Sequence, residues 1–127
     1  MEQTWKERLN SNLNKLDQIK KSYSAPALKK SGWDVDPIPN SLIRYCQLLI
    51  RCLMGYQPEV VPGPGGFIQF EYDKPDGSYF EVEIYPSGKF QCLWTSPDKE
   101  DREYEIARRK LILKKEVAKF FHGSVTL

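Results

Sequence analysis

Residues 67–95 alternate apolar and polar side chains through three runs, Phe67 to Tyr72, Tyr79 to Tyr85 and Lys89 to Thr95, separated by the turn sequences KPDG and YPSG. A period of two marks a strand, because successive side chains leave a pleated backbone on opposite sides. Proline and glycine in the short intervening segments supply the backbone angles that tight turns require. The stretch therefore reads as an antiparallel meander. One face carries Ile68, Phe70, Tyr72, Phe80, Val82, Ile84, Phe90, Cys92 and Trp94. The other carries Phe67, Gln69, Glu71, Tyr79, Glu81, Glu83, Tyr85, Lys89, Gln91 and Leu93. Such a sheet needs a cover on its first face and leaves its second in water.

The flanking segments supply that cover. Over residues 4–22, Trp5, Leu9, Leu13, Leu16 and Ile19 recur at helical spacing opposite a polar stripe. Residues 24–40 hold three prolines and a glycine with no clear period, and read as a surface connector. Asn40 or Ser41 is placed to cap a helix over residues 41–55, with Gly55 closing it in the left-handed conformation. That helix is apolar around most of its circumference, only Arg44, Gln47 and Arg51 forming a narrow polar stripe, so it is expected at the centre of the core. PEVVP, residues 58–62, reads as a short edge strand, and PGPGG as a turn. Residues 103–122 read as a C-terminal helix, although residues 103–106 also fit a fifth strand. Leu111 and Ile112 beside its polar side suggest a second packing surface or a dimer. Residues 123–127 read as a frayed end. The expected fold is a single α+β domain over residues 1–127: an antiparallel meander of three to five strands, residues 58–95, with two or three helices on one face.

Composition narrows the function classes. The net charge of +2 is unevenly spread: residues 1–31 and 102–127 each carry seven Lys/Arg against three Asp/Glu, whereas residues 66–101 carry three against eight. No apolar run approaches the roughly 18 residues of a membrane span, and MEQTWKERLNSN is polar, unlike a secretory signal. A cytoplasmic location with no membrane partner is expected. Cys46, Cys52 and Cys92, odd in number and without metal-ligand spacing, read as buried thiols. His122, the only histidine, reads as a solvated helix-end residue rather than a catalytic base. No cofactor motif is present: PGPGG lacks the Lys-Ser/Thr that follows a phosphate loop.

Three functional readings follow. Glu71, Glu81 and Glu83 share the polar face with Tyr79 and Tyr85, and this acidic, aromatic surface suits a protein partner bearing Lys or Arg. Trp33, in the connector, is a further candidate contact. A second reading gives nucleic-acid binding to the basic stretch RRKLILKK, through Arg108, Arg109, Lys114 and Lys115. A third gives the three glutamates a divalent cation and acid/base chemistry. The first is preferred, as a non-enzymatic binding module, monomeric or homodimeric.

Gly32-Trp33-Asp34, Pro37-Ile38, PEVVP, GGFIQFEY (65–72) and FEVEIYPSG (80–88) resemble a group of small uncharacterised bacterial proteins over about residues 32–95. Those read GWDG, then P-I-S before a helix, then a Gly-Gly-led strand ending in Glu-Trp, then Leu-Glu-apolar-Glu-Ile. The chain departs at Val35, where Gly is usual, and at Tyr72, where Trp is usual, and it adds a basic C-terminal helix. The resemblance implies the order of elements and a bacterial or phage origin, among the short genes typical of accessory and mobile-element loci. It implies no catalytic residue. A binder of the antitoxin, immunity or anti-defence inhibitor kind is expected instead from the acidic, aromatic face and the absence of catalytic motifs.

Overall fold

In the computed structural model, which describes residues 3–123, the alternation is realised as a five-stranded antiparallel meander. Its strands are β1 (Glu59–Pro62), β2 (Ile68–Asp73), β3 (Tyr79–Ile84), β4 (Phe90–Thr95) and β5 (Asp101–Ile106), in that spatial order. Register follows the pattern: Phe70 stands opposite Val82, Val82 opposite Cys92, and Cys92 opposite Tyr104. A slip of one residue would turn every ring outward, so one buried face fixes the register of all five strands.

The helices are α1 (Trp5–Ser22), α2 (Ala25–Ser31), α3 (Asn40–Leu53) and α4 (Lys110–His122). Leu16 and Ile19 of α1, Leu42, Ile43, Cys46, Leu49, Ile50 and Leu53 of α3, and Leu113, Val117 and Phe120 of α4 share one buried cluster with the inner residues of the sheet. Four phenylalanines, Phe70, Phe80, Phe90 and Phe120, are fully sealed within it. Each contributes roughly 1.5–3 kcal/mol through burial. Phe120 packs 5.8 Å from Phe80 and 5.3 Å from Trp94, which fastens α4 to the middle of the sheet. Lys74 reaches across to donate to the Phe120 carbonyl at 2.6 Å, neutralising part of the negative end of that helix. One buried polar device ties α1 to the loop before β1. The Asn12 amide donates to Gln57 Oε1 and to the Pro58 carbonyl, both at 3.0 Å.

Several boundaries differ from expectation. The connector of residues 24–40 contains α2, whose Ser24 side chain accepts from Ala27 N–H and whose end is the left-handed Gly32. Seven residues are too few to show a clear period, so capping decides where periodicity is silent. Helix α3 begins at Asn40, with Pro39 rather than Asn40 or Ser41 in the cap position and no capping side chain. It ends at Leu53, and Met54 rather than Gly55 takes the positive-φ cap position (φ 48°), with the Gln57 amide donating to the Ile50 and Met54 carbonyls at 2.9 and 2.8 Å. The expected helix over residues 103–122 is split. Asp101–Ile106 is strand β5, since Arg102, Tyr104 and Ile106 alternate with acids and pair with Trp94, Cys92 and Phe90, and the helix starts only at Lys110. The sheet thus extends beyond residue 95 to residue 106. Beyond Gly123, the expectation of a frayed end lies outside the described residues.

Candidate functional site: the open face of the sheet

All three packing helices lie on the inner face, and the outer face of the meander has its own chemistry. Register sets its side chains in rows across the strands. Glu59 faces Glu71, Glu71 faces Glu81, Glu81 faces Leu93, and Leu93 faces Glu103. The next row runs Val61, Gln69, Glu83, Gln91, Glu105, and the third Asp73, Tyr79, Thr95, Asp101. Directly opposed residues on such a face stand about 4.5–5.5 Å apart at Cβ, where like charges destabilise the pairing. Opposition is relieved in part. The Gln69 amide donates to Glu71 Oε2 at 2.7 Å, and the Tyr79 hydroxyl donates to Glu81 Oε1 at 3.1 Å. Lys89 lies 3.6 Å from Glu105 and 5.9 Å from the Tyr85 ring, and Lys15 meets Glu59 at the edge, 3.3 Å away.

The electrostatic signature is centred on Glu81. Partial burial, together with the charges of Glu83, Glu71 and Glu103, raises its carboxyl above the ordinary glutamate range despite the Tyr79 hydrogen bond. Burial and the neighbouring carboxylates also push the Tyr79 phenol well above its usual value, as they do more mildly for Tyr85. Both phenols stay protonated at neutral pH and act as hydrogen-bond donors. Phe67 packs 4.9 Å from Tyr85 and forms an aromatic corner at one end of the face.

Glu71, Tyr79, Glu81, Glu83 and Tyr85 are thus brought together. Trp33 is not: 56% exposed, it packs edge-on against Tyr23 at the end of α1, with ring centres 5.8 Å apart. The three glutamates do not converge as cation ligands. Among the described residues no three His, Cys, Asp or Glu side chains are grouped so as to hold a metal ion, since a pleated face sets its carboxylates side by side rather than around a point. His122 is exposed and bonded through Nε2 to the Tyr56 hydroxyl at 2.9 Å. Cys46 and Cys92 are buried, which raises the Cys46 thiol strongly and, with a smaller contribution from Glu116, pushes Cys92 up to about 12. Cys52 is only half-buried, against the expectation of three buried thiols.

Of the basic set, Arg108 is occupied within the fold. Its guanidinium lies 4.6 Å from the Tyr45 ring and closes over the β3–β4 turn at Gly88. Arg109 and Lys115 are exposed and Lys114 is half-buried along α4. The sequence reading missed Glu59, Asp101, Glu103 and Glu105 as members of the acidic face. The alternation of DREYEI carries that signal, masked there by charges that also suit a helix start.

No protein-family model, no curated protein and no solved structure matches the chain. Among the described residues no helix is long and apolar enough to cross a membrane.

Proposed function

We propose that the chain is a small non-enzymatic module that binds another protein through the open face of its sheet, with Glu71, Tyr79, Glu81, Glu83 and Tyr85 at the centre of contact and Glu59, Glu103 and Glu105 around them. The observation that carries this reading is the opposition of Glu59, Glu71 and Glu81 across three neighbouring strands, where Lys15 of α1 answers Glu59 at the edge and no salt bridge among the described residues reaches Glu71 or Glu81. That arrangement is costly in the free protein. A partner presenting Lys or Arg at strand spacing relieves it and gains attraction at once, while the protonated Tyr79 and Tyr85 hydroxyls add directional bonds. An inhibitor role of the antitoxin, immunity or anti-defence kind is part of this proposal and rests on the acidic, aromatic character of that face. The unbridged thiols fit a reducing, cytoplasmic setting.

The test is affinity capture followed by calorimetry on the purified pair. Wild-type binding is expected to weaken as salt rises, and Glu81→Lys/Glu83→Lys, folded by circular dichroism, is expected to lose at least about tenfold in affinity. Equal affinity in that folded variant rejects the sheet face as the contact surface. Retention on heparin that is lost on charge reversal at Arg109, Lys114 and Lys115 would instead favour the nucleic-acid alternative.

A further inference from the structure

Away from the acidic face, α3 and α4 leave apolar surface uncovered. Leu48 is 58% exposed and Leu111 63% exposed. Both line a groove of about 450 Å³, floored by Leu49 and Tyr45, the latter under the Arg108 guanidinium, and rimmed by Arg109 and Lys110. On the other side of Leu111 a second hollow of about 380 Å³ is bounded by Lys114 and Lys115. On α3, Leu48 stands between Arg44 and Arg51 at helical spacing, and both arginines are exposed. The result is two neighbouring leucines ringed by cations. Among the described residues no carboxylate lines either hollow. The salt bridges among the described residues involve only the cations Lys15, Lys89 and Lys119, so no carboxylate among those residues is paired with this ring. Helix α4 also begins at this rim with no acidic residue in its first turn and no capping side chain.

The sequence reading placed α3 at the centre of the core, with only Arg44, Gln47 and Arg51 in its polar stripe, and so missed the exposure of Leu48. The geometry points to a docking site for an amphipathic helix of another protein, one whose apolar side chains seat between Leu48 and Leu111 and whose flanking carboxylates meet Arg109, Lys110 and the arginines of α3. A channel between two helices accepts a third through side chains spaced three and four apart. The charge of the rim selects the sign of the flanks. A second copy docking groove to groove would bring two rings of cations together, and the sheet face, although acidic, is broad and has no ridge to enter the channel. Nucleic acid would answer the cations but not the leucines, which offer neither stacking nor hydrogen bonds to bases.

This inference is independent of the sheet-face reading. The probe is a synthetic helical peptide of about 15–20 residues, with leucines at i, i+3, i+4 and i+7 and glutamates on both flanks, long enough to hold a helix. Fluorescence anisotropy on the full chain is expected to show saturable binding that weakens about tenfold in Leu48→Ser/Leu111→Ser and about tenfold in Arg109→Glu/Lys110→Glu, and that is unchanged in Glu81→Gln/Glu83→Gln. These positions are exposed, and matching thermal melts confirm that the variants fold. The same peptide with lysine in place of glutamate is expected not to bind. Absence of binding by the glutamate peptide overturns the proposal. So does binding of a single-stranded oligonucleotide that Leu48→Ser/Leu111→Ser leaves intact, which would mark a phosphate surface. Sedimentation of the unmixed protein as a dimer that the same leucine variant dissociates would assign the groove to a second copy and overturn it as well.

Discussion

At the residue scale, single positions show how far local chemistry governs the fold. Gly66 turns the chain into β2 at φ +81°, and a Cβ there would come within 2.9 Å of the Pro37 carbonyl oxygen. Backbone rather than a movable side chain blocks the space. Gly66→Ala is expected to lower stability by roughly 1–3 kcal/mol in denaturant titration. Glu81 makes a second test. Its folded carboxyl titrates above the unfolded value, so the folded state binds the proton more tightly, and its contribution to stability declines as pH rises through that raised range. Glu81→Gln removes the charge while keeping the shape. It is expected to raise stability at neutral pH by roughly 0.2–1 kcal/mol and to flatten the decline in stability between mildly acidic and neutral pH. A loss of stability at neutral pH would show that the Tyr79 hydrogen bond outweighs the repulsion.

At the element scale, α4 and β5 matter most. Helix α4 has no capping side chain at its start and depends on Leu113, Val117 and Phe120 for its place. Phe120→Ala is expected to cost about 3–5 kcal/mol and to speed amide exchange in α4 more than in β2 and β3. Uniform acceleration across the sheet would instead make α4 part of one indivisible core. Elements of this kind divide what the sequence made legible from what it hid. The period of two in residues 67–95 is unambiguous because both faces are chemically distinct, and the structure places Phe70, Val82 and Cys92 inward with Glu71, Glu81 and Glu83 outward, as read. The segment Asp101–Ile106 has the same period, but its inward positions are Arg102, Tyr104 and Ile106. Only cross-strand partners, with Arg102 lying over the Trp94 and Tyr104 rings, show how an arginine serves on that side. Helix α2 was hidden for another reason: its single buried residue, Leu28, gives no pattern to detect. The exposure of Leu48 could not be read from α3 alone, because it depends on where α4 begins beside it.

At the scale of the whole molecule, the acidic middle of the sequence and its basic C-terminal end become two surfaces. Strand pairing gathers the acids of β1, β2, β3 and β5 onto one open face, while α3 and α4 carry a cationic ring around exposed leucines. A net charge of +2 conceals this separation. Opposite patches on one chain also favour weak head-to-tail association at low ionic strength. Light scattering at high protein concentration is expected to show such association at low salt and its disappearance near physiological salt. The most direct measurement of the function proposed for the open face is to map by NMR the amides that shift when a captured, purified partner is added to the isotope-labelled chain. The expected result is a footprint on Glu71, Tyr79, Glu81, Glu83 and Tyr85, abolished in Glu81→Lys/Glu83→Lys. A footprint confined to the helical side, with those five residues undisturbed, would contradict it.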